Sequence, residues 1–228
     1  MDHFNQEAFN TFVLDNNIIG FLSSSIMLNS GRESHWYVNW RTVSEDVFLL
    51  DRLTDFTTHF IKDLGFEPDT IYGVPEGATK VGLFTQYKFA IDDPSYGPHS
   101  HRLAMGRGKP KAHGALKDRY FVGIPEGKTL ILEDVTTTGG SLIRTIDTLL
   151  EAHVDVIGAI GLTNRMEVRE DGMSVEDAIS SRDVPYYSMS RGPELLPEAY
   201  LRDSPAEWVA KKVEDEYAKH GLVEMRLR

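Results

Sequence analysis

The chain has no cysteine, no long apolar run and little positive charge, and each absence removes a class of protein. Without cysteine there is no disulfide framework, no thiolate nucleophile and no cysteine-ligated metal. That composition suits a reducing compartment, and a cytoplasmic protein is expected. No apolar stretch approaches the roughly 20 residues of a membrane span, so no membrane partner is expected. The opening residues, MDHFNQEAFN, are acidic and polar, unlike a secretory signal or transit peptide. Lys and Arg number 24 against 35 Asp and Glu, giving a net charge of −11 that disfavours general nucleic-acid binding. Internal repeats, low-complexity tracts and long Pro/Ser linkers are missing too. At 228 residues the chain suits one domain and can bury a real core.

The positive charge that exists is concentrated. Between Arg102 and Arg119 lie six cationic residues (Arg102, Arg107, Lys109, Lys111, Lys117 and Arg119) against one acid, Asp118. An anionic partner would be met there. A solvated surface loop is the plainer alternative.

Hydrophobic spacing predicts a helix over 4–15, and FLSSSIMLNSGRESHWYVNW reads as two strands around the turn Asn29-Ser30-Gly31. Ser44 and Asp46 open a helix that runs to about Leu64 and stops at Gly65. A strand-helix rhythm follows: DTIYGV, a helix over 77–89, strands in HRLAMG and RYFVG, the strand KTLILE, a helix over 141–152 and the strand VDVIGAIGL. SVEDAISSR is a short helix, VPYYSMS the last strand, and 207–220 a polar terminal helix. The pattern predicts an α/β fold with a central, mainly parallel sheet flanked by helices, its ligands at the carboxyl ends of the strands. The expected division of the single domain, 1–228, is an N-terminal hairpin and helix hood (about 1–45), a core (about 66–190) and the terminal helix (205–220).

One stretch carries the chemistry: LILEDVTTTGGSLIRTI, residues 130–146. An apolar run ends in two acids, Glu133 and Asp134. Three threonines (Thr136, Thr137, Thr138) and two glycines (Gly139, Gly140) follow, and Ser141 starts an amphipathic helix. Glycines running into a helix N-terminus turn backbone N–H groups inward and make an anion cradle, to which hydroxyls add donors. No lysine follows the glycines, so this is not a nucleoside-triphosphate loop. The cradle suits one phosphomonoester. The acids would repel a phosphate; they suit sugar hydroxyls, or water around a divalent cation. A phosphate beside a diol describes ribose 5-phosphate.

LILEDVTTTGGS resembles the phosphoribosyl-diphosphate (PRPP) motif of the type I phosphoribosyltransferases. Three more stretches are similar to the orotate branch of that family: LNSGRESHWYVNWR to its N-terminal hairpin, RGKPKAHG to its catalytic loop, and LTNRMEVRE to the segment bearing an arginine for orotate. YGVPEGATKVG is similar to the family's loop under the pyrophosphate, so the resemblance covers about residues 18–170. It departs twice. Asn29 stands where the family usually has lysine, and Gly108 separates Arg107 from Lys109 where the family usually has consecutive Arg-Lys.

The resemblance implies an Mg²⁺-dependent glycosyltransferase (a pentosyltransferase) that converts PRPP and orotate to orotidine 5′-phosphate and pyrophosphate, in pyrimidine nucleotide synthesis. It implies Lys111, Arg107 and His113 as catalytic residues. PRPP would meet Glu133, Asp134, Thr136 to Thr138, Gly139, Gly140, Ser141, Lys109, Pro75, Glu76 and Gly77. Orotate would meet Arg165, Trp36, Tyr37 and Asn29. Trp36 and Tyr37 have the alternative of core aromatics, and Arg165 that of a surface ion-pair partner. Gly106, Gly108 and Gly114 would let the basic loop open and close. Mg²⁺ is expected to be held mainly by PRPP and water, with no dedicated protein cage, and His35, His59, His99 and His101 lack ligand spacing. A homodimer is implied, with the basic loop acting across the interface. The rival readings are a phosphoribosyltransferase for another base and a PRPP-sensing regulatory protein of the same fold.

Overall fold

The computed structural model describes residues 3–109, 111–113 and 119–227. Gly114, Lys117 and Asp118, singled out above in the basic window, lie outside the described residues.

Asn5 caps helix α1 (Gln6–Asp15) by accepting from the Ala8 N–H. Strands β1 (Ile19–Met27) and β2 (Glu33–Val38) then pair antiparallel, the turn between them passing through Gly31 at φ +80°. A short helix α2 (Arg41–Ser44), not anticipated from the sequence, leads into α3 (Val47–Asp63). The Asp46 carboxylate caps α3 at the Leu49 N–H, and Gly65, at φ +74°, follows its end.

The parallel sheet is built from β3 (Thr70–Gly73), β6 (Lys128–Thr136), β7 (Asp155–Asn164) and β8 (Tyr186–Arg191), side by side in that order. Helix α4 (Thr79–Asp92) follows β3. The two-residue strands β4 (Met105–Gly106) and β5 (Phe121–Val122) form a separate ribbon at the base of the basic window, shorter than the sequence suggested. Helices α5 (Gly140–Glu151) and α6 (Val175–Ser180) follow β6 and β7. The chain closes with α7 (Gly192–Asp203) and α8 (Glu207–His220).

β6 lies inside the sheet and is buried on both faces along its middle, which is why Leu130, Ile131 and Leu132 follow one another without polar alternation. Its side chains alternate between two cores. Leu130 and Leu132 pack with α1, α3 and the hairpin, whereas Ile131 packs with Leu142, Ile146 and Leu149 of α5. All three strand residues are fully buried. Both faces of the sheet are thus held at β6, and its carboxyl end cannot move independently of either core.

Helix α7 is, with α2, an element that spacing did not disclose. Pro193 sits in its first turn and Pro197 inside it, removing an intrahelical donor and blurring the helical signal. The polar terminal helix α8 also has a larger role than its surface suggests. Val209, Ala210, Val213 and Tyr217 are buried, and its Glu216 carboxylate accepts from Ser34 Oγ (2.9 Å) and the His35 N–H (2.6 Å) of β2. The C-terminal helix therefore fixes the hairpin over the sheet.

Candidate functional site

A cavity of about 710 Å³ opens at the carboxyl ends of the parallel strands, between the sheet and the hairpin. One wall is the end of β6 and the start of α5. Glu133, Asp134, Thr137, Thr138, Gly139, Gly140 and Ser141 line it, and Pro75, Glu76 and Gly77 adjoin them. The PRPP contacts expected of those ten residues are therefore brought to one surface.

Local geometry explains the wall. Gly139 takes φ +69° as the cap residue of α5, a left-handed conformation that favours glycine. Ile143 N–H donates to its carbonyl at 2.8 Å, closing the first turn. The loop is also anchored from outside, because Arg169 donates from Nη1 to the Thr138 carbonyl. At Gly77 any Cβ would collide with the Asp134 carboxylate, so glycine lets that acid lie against the 75–77 loop. Asp134 Oδ1 in turn accepts from the Val135 N–H at 2.9 Å.

Glu133 is only 5% exposed. Burial, reinforced by the neighbouring Asp134 carboxylate, pushes its carboxyl well above the usual carboxylate range. A carboxyl that retains its proton can both donate to and accept from a sugar hydroxyl. Among the described residues no three His, Asp or Glu side chains gather as a metal cage. The acids facing the cavity, Glu76, Glu133 and Asp134, suit a hydrated cation held largely by a ligand's own oxygens.

The opposite wall belongs to the hood. Asn29 and Tyr37 line it, together with Leu22, Met27, Ser30, Val38 and Arg41. Burial, and secondarily the Asp203 charge, raises the Tyr37 phenol above its ordinary value. Arg165 reaches the cavity from the end of β7, but it is 1% exposed and heavily engaged. Its Nε donates to Glu167 (2.8 Å), its Nη2 to Ser34 Oγ (2.8 Å), and its guanidinium lies 3.6 Å over the Trp36 ring. Arg32 donates to the same Glu167 at 2.8 Å. Arg165 is thus a buried ion-pair partner that also touches the site.

Two expected side-chain contacts are corrected. Thr136 is buried, with Oγ1 2.7 Å from the Tyr186 hydroxyl, so it braces β6 against β8 and does not face the cradle. The Trp36 ring is fully buried beneath Arg165 and stacked on Tyr217 (5.9 Å), as a core aromatic; its neighbours along β2, Tyr37 and Val38, line the cavity instead.

The basic segment borders the cavity at Gly108, which packs against Glu76. Lys109, Lys111 and His113 are exposed and do not line the cavity. Arg107 lines a second cavity of about 270 Å³, next to the first, whose walls include Ser141 and Arg144. Arg144 borders both cavities and donates from Nη2 to Ser141 Oγ at 3.3 Å. It supplies the cation that the loop lacks in linear sequence. Its position one turn into α5, beside Ser141, is the signal the sequence carries for it.

Fold and site together define a class, the type I phosphoribosyltransferases. The crystal structure of orotate phosphoribosyltransferase from Francisella tularensis matches with a TM-score of 0.66 over 94% of this chain and 99% of that one, at 22% identity. Adenine phosphoribosyltransferase from Leishmania donovani also matches, with a TM-score of 0.52 at 13% identity over 82% of each chain, so the fold alone does not choose the base. No protein-family model matches the chain. Sequence is more selective: the orotate phosphoribosyltransferase of Bradyrhizobium diazoefficiens is 30% identical over 183 residues, covering 77% of this chain and 89% of that protein. That of Pyrococcus abyssi is 29% identical over 164 residues, 72% and 84% of the two chains. The chain belongs to the orotate phosphoribosyltransferase family.

Proposed function

We propose that the protein transfers ribose 5-phosphate from PRPP to orotate, releasing pyrophosphate and forming orotidine 5′-phosphate. The carrying observation is the wall from Glu133 to Ser141, where neutral donors and carboxyls meet side by side at the end of a strand buried on both faces. The 5-phosphate takes the N–H groups and hydroxyls of 137–141, with Arg144 as its cation. The ribose hydroxyls take Glu133 and Asp134.

Breaking the bond from the anomeric carbon to the pyrophosphate oxygen leaves an oxocarbenium-like sugar and puts charge on the departing group. Bond formation from the base nitrogen completes the exchange. The protein's task is electrostatic: cations must meet the leaving group in a site shielded from water. Arg107, Lys109, Lys111 and His113 supply that charge. Glu76, Glu133 and Asp134 would help hold a hydrated Mg²⁺, which when bound would offset negative charge on the departing group.

Because Lys109, Lys111 and His113 are exposed and outside the cavity, the active form in this reading is a homodimer in which each segment serves the partner's site. An exposed apolar stripe on α4, formed by Phe84, Tyr87 and Ile91, is available for such a contact. Mixing a Lys111→Ala protein with an Asp134→Asn protein should then restore activity that neither has alone. We place the reaction in the cytoplasm, which the cysteine-free composition suits.

The deciding assay is loss of orotate ultraviolet absorbance with purified protein, PRPP and Mg²⁺. Consumption is expected. Unchanged orotate alongside turnover of another base would transfer the protein to a different specificity, and the family relationship already disfavours that outcome.

A further inference from the structure

We infer that Arg41 is the specificity-determining residue that receives the carboxylate of the acceptor base. The inference deepens the proposed function and rests on it. An acceptor that is a flat ring bearing a carboxylate needs an uncompensated cation at the hood end of the cavity. Three guanidinium groups line that cavity: Arg41, Arg144 and Arg165. Arg144 lies at the phosphate loop, beside Ser141. Arg165 shares the buried Glu167 carboxylate, so its charge is already offset, and its Nη1 donates to the Trp36 carbonyl oxygen at 3.5 Å.

Arg41 differs from both. It is exposed, and among the described residues its side chain has no ion-pair or hydrogen-bond partner. Its backbone is nevertheless well fixed. The Arg41 N–H donates to Asn39 Oδ1 at 3.2 Å, and the preceding Trp40 is buried with Nε1 donating to Thr163 Oγ1 at 3.1 Å. A second observation points to a ligand in this cavity: Ser30 Oγ, in the turn between β1 and β2, is buried on its wall without a hydrogen-bond partner among the described residues. Asn29 beside it is neutral. Tyr37 and Val38 offer the ring an aromatic and an aliphatic surface. A planar anion seated against Tyr37 and Val38 would pair its carboxylate with Arg41.

The test compares wild type, Arg41→Ala and Arg41→Lys in steady-state kinetics and in equilibrium titration with orotate and with neutral uracil. Arg41→Ala should raise the KM for orotate by about tenfold to a hundredfold, the range for losing a charge-assisted hydrogen bond. The KM for PRPP should stay within about twofold of wild type, and the preference for orotate over uracil should collapse. Arg41→Lys should recover part of it. Wild-type orotate affinity and discrimination in Arg41→Ala would overturn the inference. If wild type binds orotate through Arg41 but does not turn it over, the proposed reaction fails and the Arg41 assignment stands. If wild type does not bind orotate at all, both fall.

Discussion

The two walls of the cavity are built in opposite ways. The donor wall is contiguous: Glu133 to Arg144 pass from strand through glycine turn to helix, and their arrangement follows from local backbone geometry. The hood wall is assembled from distant segments. Arg165 meets Ser34 across 131 positions, Arg32 meets Glu167 across 135, and Ser34 meets Glu216 across 182. A contiguous wall loses one contact when one side chain is changed. An assembled wall resting on buried charge loses its footing. The largest predicted effect follows from that difference. Glu167→Ala strands two guanidinium groups, Arg32 and the nearly inaccessible Arg165. Removing one partner of such a buried pair costs about 3–5 kcal/mol, and a urea midpoint should fall accordingly. Asp134→Asn, on the donor wall, should leave the midpoint nearly unchanged while impairing PRPP binding. Equal stability losses in the two variants would erase the distinction between the walls.

The next prediction separates both walls from the basic segment. Lys111 is exposed, and its backbone N–H donates to the Arg119 carbonyl at 3.0 Å, a bond that side-chain truncation keeps. Lys111→Ala should therefore fold normally and lose about 10²–10³-fold in kcat, with a much smaller change in PRPP affinity. A reduced affinity with intact kcat would make the segment a binding surface only. Arg144→Ala comes third. Its loss should weaken ribose 5-phosphate binding, read by calorimetry, by about tenfold, near the lower bound for a charged hydrogen bond because the group is solvent-facing. Its KM for orotate should be unaffected. The pattern is the mirror image of that expected for Arg41→Ala, so the pair sharpens the comparison of donor and acceptor sides.

The same contrast governs what was legible in the sequence. The donor wall could be read in full except for Thr136 and Arg144, because acid pair, hydroxyl run and glycines lie in one string. Thr136 misled because it belongs to the strand, whose alternation turns its hydroxyl toward Tyr186 and away from the loop. Parallel strands and their order of appearance were readable from apolar runs and caps. The hood was not. Nothing in a linear reading tells that Trp36 lies under Arg165, that Glu167 serves two arginines, or that a polar terminal helix holds the hairpin through Glu216. Those facts depend on tertiary neighbours, and the hairpin's period-2 alternation could identify Trp36 as inward only once the sheet beneath it was placed.

The smallest predicted effect concerns Glu133, where the donor wall itself holds a buried acid. Its carboxyl titrates higher in the folded protein than in the unfolded chain, chiefly through burial and then through the Asp134 charge. Between the unfolded value, 4.5, and the raised folded value, the folded state binds more protons than the unfolded one. Stability must then fall as pH rises through that window. Glu133→Gln removes the titration while keeping the shape of the protonated acid. The variant should match wild type below pH 4.5 and exceed it increasingly as pH rises, reaching a constant advantage once the wild-type carboxyl is ionised in both states. Each 1 kcal/mol of that advantage appears as about 2–4 °C in Tm for a domain of this size. The gain would come with weaker PRPP binding at alkaline pH, where the wild-type carboxylate accepts from both ribose hydroxyls and the amide cannot. A Tm difference independent of pH would mean that the acid is ionised throughout, and that the donor wall, like the hood, rests on a compensated charge.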